Sequence, residues 1–261
     1  MDALLSFPLP EGFVLLVALA GLGSFVYGVA GFGSGLVAIP LALHAHPASL
    51  VLAVYALLDM VNVGRVLWVH PVRAIAAPAV RAELVRLVPA CVVGLVVGTL
   101  LLTVIAPRPL IVLLGAFVTG YALWSLRAGG AACVWGRQWA VPAGVCSGLT
   151  SSMFGIGGPP YVIYLVRRAL EPAALRAAIA MAGLVSMGGR ALAFGLSGLL
   201  DDPAVWWTAL VAVPVSLLSL ALAERVRRHL SPGATRRVIE GLLLLSGLSL
   251  LAKAAWAPPL G

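Results

Sequence analysis

The sequence predicts an all-α membrane protein, a polytopic helical bundle of two inverted repeats, each with a Gly-rich broken or re-entrant helix. Hydrophobic residues make up 62% of the 261 residues and charged residues only 10%, a composition typical of a chain whose solvent is the bilayer. Apolar runs long enough to cross about 30 Å of hydrocarbon recur along the chain. Two of these runs contain a similar glycine-rich interruption. We therefore expect a single transmembrane domain over residues 1–261.

The apolar runs are separated by short polar joints. They fall at about 13–43, 48–69, 84–105, 109–126, 139–166, 172–199, 204–223 and 238–256. The first and fifth are interrupted by glycine and proline, which break straight helices. The interrupting residues are Gly31, Gly33, Gly35 and Pro40 in the first run, and Gly155, Gly157, Gly158, Pro159 and Pro160 in the fifth. These two runs are predicted to be broken helices or re-entrant hairpins.

The two halves of the chain resemble each other. Phe32 to Gly35 aligns with Phe154 to Gly157 at an offset of 154 − 32 = 122. Later pairs align at an offset of 125, and a three-residue insertion in the second copy explains the change. These later pairs are Gly64-Arg65 with Gly189-Arg190, Pro89 with Pro214, and Pro107 with Pro232. This periodicity predicts one repeat over residues 1–127 and a second over 128–261.

Loop charges favour opposite orientations for the two repeats. If the first and fifth runs are re-entrant, the basic loops all face the cytoplasm, as the positive-inside rule requires. These loops carry Arg73 and Arg81, Arg127 and Arg137, Arg167 with Arg168 and Arg176, and Arg225 through Arg237. The acidic residues Asp2, Glu11, Asp201 and Asp202 then lie outside, and both chain termini are periplasmic. Arg108 and Lys253 are exceptions to the rule.

Several function classes are disfavoured by the composition. The formal net charge of +8 is explained by basic loops that orient the chain, so no nucleic-acid partner is expected. The three cysteines form no C-x-x-C pair, and His44-x-His46 has no acidic or thiol neighbour in sequence, so we expect no metal site. No cofactor is expected, and a homodimer is left open.

The glycine-rich breaks are the strongest candidates for a binding site. A helix that starts inside the bilayer presents unpaired N–H groups and the positive end of its dipole, which together attract an anion. Glycine lets such a ligand approach the backbone. Tight helix packing is the alternative, and it is favoured for Gly94-x-x-x-Gly98 and Gly144-x-x-x-Gly148. The candidate residues at the breaks are Gly33, Ser34, Gly35, Ser151, Ser152, Gly155, Gly157, Gly158 and Pro159.

Polar side chains within apolar runs extend this candidate site. Arg65 and Arg190 occupy equivalent positions of the two repeats, and an intramembrane arginine faces a partner or a water-filled path. Asp59, Asn62 and Arg65 follow one another at three-residue steps, on one helix face. Asp59 either titrates and couples transport to protons or neutralises Arg65. Ser186, like Ser151 and Ser152, either donates a hydrogen bond to the anion or bonds back to its helix.

On these motifs the chain resembles the TauE/SafE family of sulfite and sulfonate exporters. The resemblance is carried by the segment from Val29 to Pro40 and its echo from Gly148 to Pro160, and it extends over nearly the whole chain. Ser34 is a departure, because glycine is more usual there. The resemblance implies transport of organosulfur or other small anions across a bacterial inner membrane, without a bound cofactor.

The expected function is therefore secondary transport of a sulfite, sulfonate or carboxylate anion, proton-coupled and by alternating access, and not catalysis. An intramembrane enzyme is one alternative, prompted by Ser34. A rhomboid-like Gly-x-Ser-Gly motif would need glycine at position 32, which is Phe32, and no deep histidine is available as a base. A non-transporting scaffold is the other alternative, and it gives no reason for paired breaks.

Overall fold

The computed structural model describes residues 12–30, 34–69, 78–127, 134–168 and 170–227, together with helical residues between 241 and 255. Every element of these ranges is a helix. Several residues discussed above lie outside the described residues, among them Asp2, Glu11, Gly33, Arg73, Pro232 and Lys253. The helices are α1 (Phe13–Ala30), α2 (Ser34–Ala42), α3 (Ala48–Val69), α4 (Pro78–Val104), α5 (Pro107–Arg127), a 3-10 turn (Arg137–Trp139), α6 (Ala140–Phe154), α7 (Gly158–Val166), α8 (Pro172–Leu196) and α9 (Pro203–Arg227).

Among the described residues, four helices are long and apolar enough to cross a membrane: α3, α4, α8 and α9. Their apolar surfaces are not all covered by protein: Val104 is 83% exposed and Leu196 is 81% exposed. In water such a surface would be unfavourable, whereas lipid tails solvate it. The chain is therefore a multi-pass membrane protein with an all-helical fold, as the sequence predicted.

Each of the two glycine-rich runs forms two helices. The first run gives α1 and α2, and the fifth gives α6 and α7. The α6 helix ends at Gly155 in the left-handed conformation, with φ of 70°, which glycine adopts without strain. The α7 helix begins three residues later, at Gly158, and Pro159 fits its first turn because a first-turn residue needs no N–H donor.

The outer ends of each broken run lie close together. The backbone N–H of Trp135, before α6, donates a hydrogen bond to the carbonyl of Arg167, after α7, at 2.9 Å. In the first run, a Cβ built on Gly12 would lie 3.6 Å from the ring of His46. In both runs, a residue just before the first helix thus lies close to a residue just after the second.

Glycines allow the first helix of each broken run to pack closely against a long helix: α6 against α4, and α1 against α9. Gly94 of α4 lies against the backbone of Val145 in α6, and a Cβ on Gly144 would lie 2.8 Å from that of Ala90. In the same way, a Cβ on Gly21 of α1 would lie 3.0 Å from Val215 of α9. The Gly94 and Gly144 motifs thus pack helices closely. In the repeats predicted from the sequence, α4 and α9 hold equivalent positions, with Pro89 aligned to Pro214.

Candidate functional site

The start of α2 lies against the second break. Gly35, in the first turn of α2, lies so close to the second break that a Cβ on it would be 2.7 Å from the carbonyl oxygen of Gly155. A Cβ on Gly155 would in turn be 2.8 Å from Nη1 of Arg190. Any larger residue at either position would push apart the helix ends or displace the guanidinium. Because these glycines have no side chain, the start of α2 and the guanidinium of Arg190 can both lie against the backbone at Gly155.

Arg190 of α8 is at the centre of this region and is fully buried, with 0% exposure. Its Nη2 donates to Oδ2 of Asp59 at 2.7 Å and to the carbonyl of Tyr55 at 3.0 Å. Its Nη1 donates to the carbonyl of Ser151 at 3.4 Å, whereas its Nε has no hydrogen-bond partner. The guanidinium thus joins α3, α6 and α8 and retains an unused donor.

Asp59 of α3 is the charged partner of Arg190, and it is also fully buried. Its Oδ1 accepts a hydrogen bond from the hydroxyl of Ser34, the first residue of α2. The arginine and the hydroxyl at the start of α2 favour negative charge on this carboxylate, whereas its complete burial disfavours it.

The pairing of Asp59 with Arg65, one of the two readings of the sequence, is not found. Arg65 instead lies 3.8 Å from Glu224 of α9, and both side chains are about a third exposed. The guanidinium of Arg65 is drawn to an acidic residue on a different helix, away from the breaks. The structure therefore does not bring Arg65 into the central cluster.

Three serines near the second break have different surroundings. Ser151 donates to the carbonyl of Ser186 at 3.1 Å, and Ser152 donates to the carbonyl of Leu95 at 3.0 Å. Both hydroxyls therefore bond to the backbone of neighbouring helices rather than to their own. The hydroxyl of Ser186 is buried, lies against Gly157 and is close to the thiol of Cys91. Of the three, Ser186 alone has a hydroxyl that donates to no backbone carbonyl.

The N-terminus of α7 offers fewer amide donors than the glycine pattern suggests. Pro159 and Pro160 follow Gly158 and have no N–H, and the N–H of Tyr161 is the first to bond within the helix, so the unpaired donors of this turn are limited to Gly157 and Gly158. The carbonyl of Gly157 accepts from Ser147 at 2.7 Å. This bond holds the start of α7 against α6.

Asn62 lies next to Asp59 along α3 and connects α3 to α1. Its Nδ2 donates to the hydroxyl of Ser24 at 3.0 Å, while its buried Oδ1 has no partner. The predicted polar face of α3 is therefore real, but its members have different partners. The cluster formed by the two breaks comprises Ser34, Gly35, Asp59, Ser151, Gly155, Gly157, Ser186 and Arg190.

A second buried carboxylate, that of Glu83 in α4, was not predicted from the sequence. It accepts hydrogen bonds from Tyr164 and from Arg168, the latter at 2.9 Å, and lies 3.5 Å from Arg137. The bond to Glu83 raises the pKa of Arg168. This Glu83 cluster fixes both outer ends of the α6–α7 run to α4. An acidic residue within the first turns of a long apolar helix was the signal that could have revealed it.

A metal is not suggested by the described part of the chain, which contains no group of three or more histidine, cysteine or acidic side chains able to hold one. His44 and His46 follow α2 in a turn, where Nδ1 of His44 lies 3.0 Å from the carbonyl of Pro40. The chemistry of the centre is therefore that of a guanidinium, a carboxylate, hydroxyls and amides.

The chain is similar to known proteins over most of its length. The family described as sulfite exporter TauE/SafE matches residues 15–250. A protein of Cupriavidus necator named probable sulfite/organosulfonate exporter TauE is 33% identical over 246 residues, covering 92% of this chain and 95% of its own. A probable inner membrane transporter protein TsaS of Comamonas testosteroni is 32% identical over 166 residues, covering 63% and 69%. No solved structure matches.

The family match covers most of the chain, including both breaks, Asp59 and Arg190. The relatives are an exporter and an inner membrane transporter by name, which agrees with the apolar helices found here. The chain belongs to the TauE/SafE family of transporters of the inner membrane.

Proposed function

We propose that the protein is a secondary transporter that carries a small organic or sulfur-containing anion across the inner membrane, coupled to protons. The observation that carries the proposal is Arg190, a fully buried arginine located where two helix breaks meet. An arginine in this position is costly unless it faces a partner or a ligand, and its planar fork matches sulfonate or carboxylate oxygens. Sulfite and organosulfonates are the first candidates, since a relative's name refers to them.

The proposed binding site combines Arg190 with the hydroxyls of Ser34 and Ser186 and the amides at Gly157 and Gly158. Asp59 is the proposed proton carrier because it is the carboxylate in direct contact with Arg190. Alternating access would expose this centre to one side and then to the other as the halves rock. The apposed breaks support this proposal, since each half contributes one of them.

We further propose that the two repeats are inverted in the membrane and that both broken runs are re-entrant. The joined ends of the α6–α7 run, at Trp135 and Arg167, and the equivalent helix contacts of α1 and α6 support this arrangement. The basic loops then face the cytoplasm and the termini the periplasm.

Cysteine labelling tests this topology. In a protein without its native cysteines, a membrane-impermeant maleimide added from the periplasm is expected to label Asp202→Cys and not Arg81→Cys, two exposed positions. Labelling of both residues from one side would contradict the inverted arrangement.

Anion binding and flux test the function itself. Sulfite, methanesulfonate or acetate is expected to raise the unfolding temperature of the purified protein, with chloride at equal ionic strength as the control. A ligand present at about 100 times its Kd stabilises the folded state by about 2.7 kcal/mol. The stabilising anion is expected to enter proteoliposomes faster when a pH gradient is imposed. A protein that none of the three anions stabilises, and that transports none of them, would refute the proposal.

A further inference from the structure

Asp59 occupies the donors that a transported anion would use. One carboxylate oxygen accepts from Arg190 at 2.7 Å and the other from the hydroxyl of Ser34. Ser34 begins α2, and Arg190 reaches from α8 to the second break at Gly155. The positive charge of Arg190 is therefore neutralised by a carboxylate of the protein.

We infer that Asp59 is a tethered substitute for the transported anion, holding Arg190 until the cargo displaces it. The inference rests on the proposed function and concerns the order of events at the same site. It makes Asp59 a competitor of the cargo rather than an additional ligand. Loss of its carboxylate should therefore strengthen anion binding, opposite to the effect expected for a residue that binds the anion.

Electrostatics gives the reason for this competition. Arg190 and Asp59 are both completely buried, and a lone charge in such surroundings is strongly unfavourable. Two anions beside one guanidinium repel each other, so when the cargo pairs with Arg190, Asp59 is left as an excess negative charge. Uptake of a proton by its carboxylate removes that charge. Exchange of partners at Arg190 thus couples anion binding to proton binding.

The groups around Asp59 allow this exchange. Arg190 of α8 is its ion-pair partner and Ser34 of α2 its hydrogen-bond donor. Three buried tyrosines are close enough to feel its charge, and they are Tyr27 of α1, Tyr55 of α3 and Tyr161 of α7. From α9, Glu224 is engaged with Arg65. In the described part of the chain, Arg190 is thus the cation to which Asp59 is bound.

Isothermal calorimetry with methanesulfonate tests the inference, because the charge of this probe is constant over the working pH range. The Asp59→Asn variant is expected to bind about tenfold more tightly than the wild type, as for a site released from an internal competitor. Asp201→Asn, which removes an exposed carboxylate in the loop before α9, is the matched control and should leave affinity unchanged. Titrations in buffers of different ionisation enthalpy should detect proton uptake in the wild type and none in Asp59→Asn.

Each result decides a different point. Weaker or unchanged binding by folded Asp59→Asn would overturn the inference while wild-type binding upholds the proposed function. If the Asp59→Asn variant does not fold, the calorimetry of the wild type tests the inference. Proton uptake when methanesulfonate binds supports displacement of Asp59, and binding without proton uptake overturns the inference. If the wild type binds none of methanesulfonate, sulfite and acetate, the proposed function is refuted and the inference with it.

Discussion

Replacement of Arg190 by leucine is expected to abolish anion transport and to destabilise the folded protein. The substitution leaves Asp59 buried without its 2.7 Å partner, and removing one member of a buried ion pair costs about 3–5 kcal/mol. It also removes the donors to the carbonyls of Tyr55 and Ser151. Unfolding of the purified protein in detergent measures the first effect, and anion flux into proteoliposomes the second.

The double variant Arg190→Leu/Asp59→Asn separates these two effects. It contains no unpaired buried charge at this site, so most of the lost stability should return, while transport stays absent because the guanidinium is gone. Arg190→Lys is a second control: it keeps the charge but cannot reproduce the planar fork that joins three helices. Transport by the well-folded double variant at the wild-type rate would remove Arg190 from the binding site.

The fold class follows from composition and periodicity because both are properties of local sequence. Apolar runs of membrane length predicted the spans. Glycine predicted the interval between α1 and α2, and glycine with proline predicted the one between α6 and α7, whereas Pro40 lies inside α2. The left-handed conformation of Gly155 is the kind of backbone requirement that a residue type reveals. Such features need no knowledge of which helices meet.

Pairing of charges was harder to predict because it depends on tertiary contacts. Asp59 and Arg65 lie on one face of α3, so the sequence offered them as a local pair. The observed partner of Asp59 is Arg190, 131 residues away, and no spacing rule detects such a contact. Repeat alignment did single out Arg190, but it gave Arg65 the same status, although only Arg190 reaches the breaks.

Glu83 illustrates a further limit, since its importance comes entirely from burial. In sequence it is one acidic residue between Arg81 and Arg86, which suggests a solvated helix end. In the fold its side chain is only 2% exposed because the ends of the α6–α7 run cover it. The covering elements lie more than 50 residues away along the chain.

Replacement of Glu83 by alanine is expected to cause the second large loss of stability, about 3–5 kcal/mol. The substitution leaves Arg168 without its 2.9 Å partner and the hydroxyl of Tyr164 without its acceptor. Since these bonds hold the ends of the α6–α7 run to α4, the run should also become more accessible to proteases near Trp135. Unfolding followed by tryptophan fluorescence, together with limited proteolysis, measures both effects.

Arg137→Gln is the matched control for this prediction, because its ion pair with Glu83 is longer, at 3.5 Å, and its side chain is 54% exposed. Water screens such a pair, so its loss should cost at most about 1 kcal/mol. Glu83→Gln should fall between the two, since an amide can still bond to Tyr164 but carries no charge for Arg168. Equal stability of Glu83→Ala and Arg137→Gln would mean that α4 and the α6–α7 run are joined by helix packing at Gly94 and Gly148 and not by the Glu83 cluster.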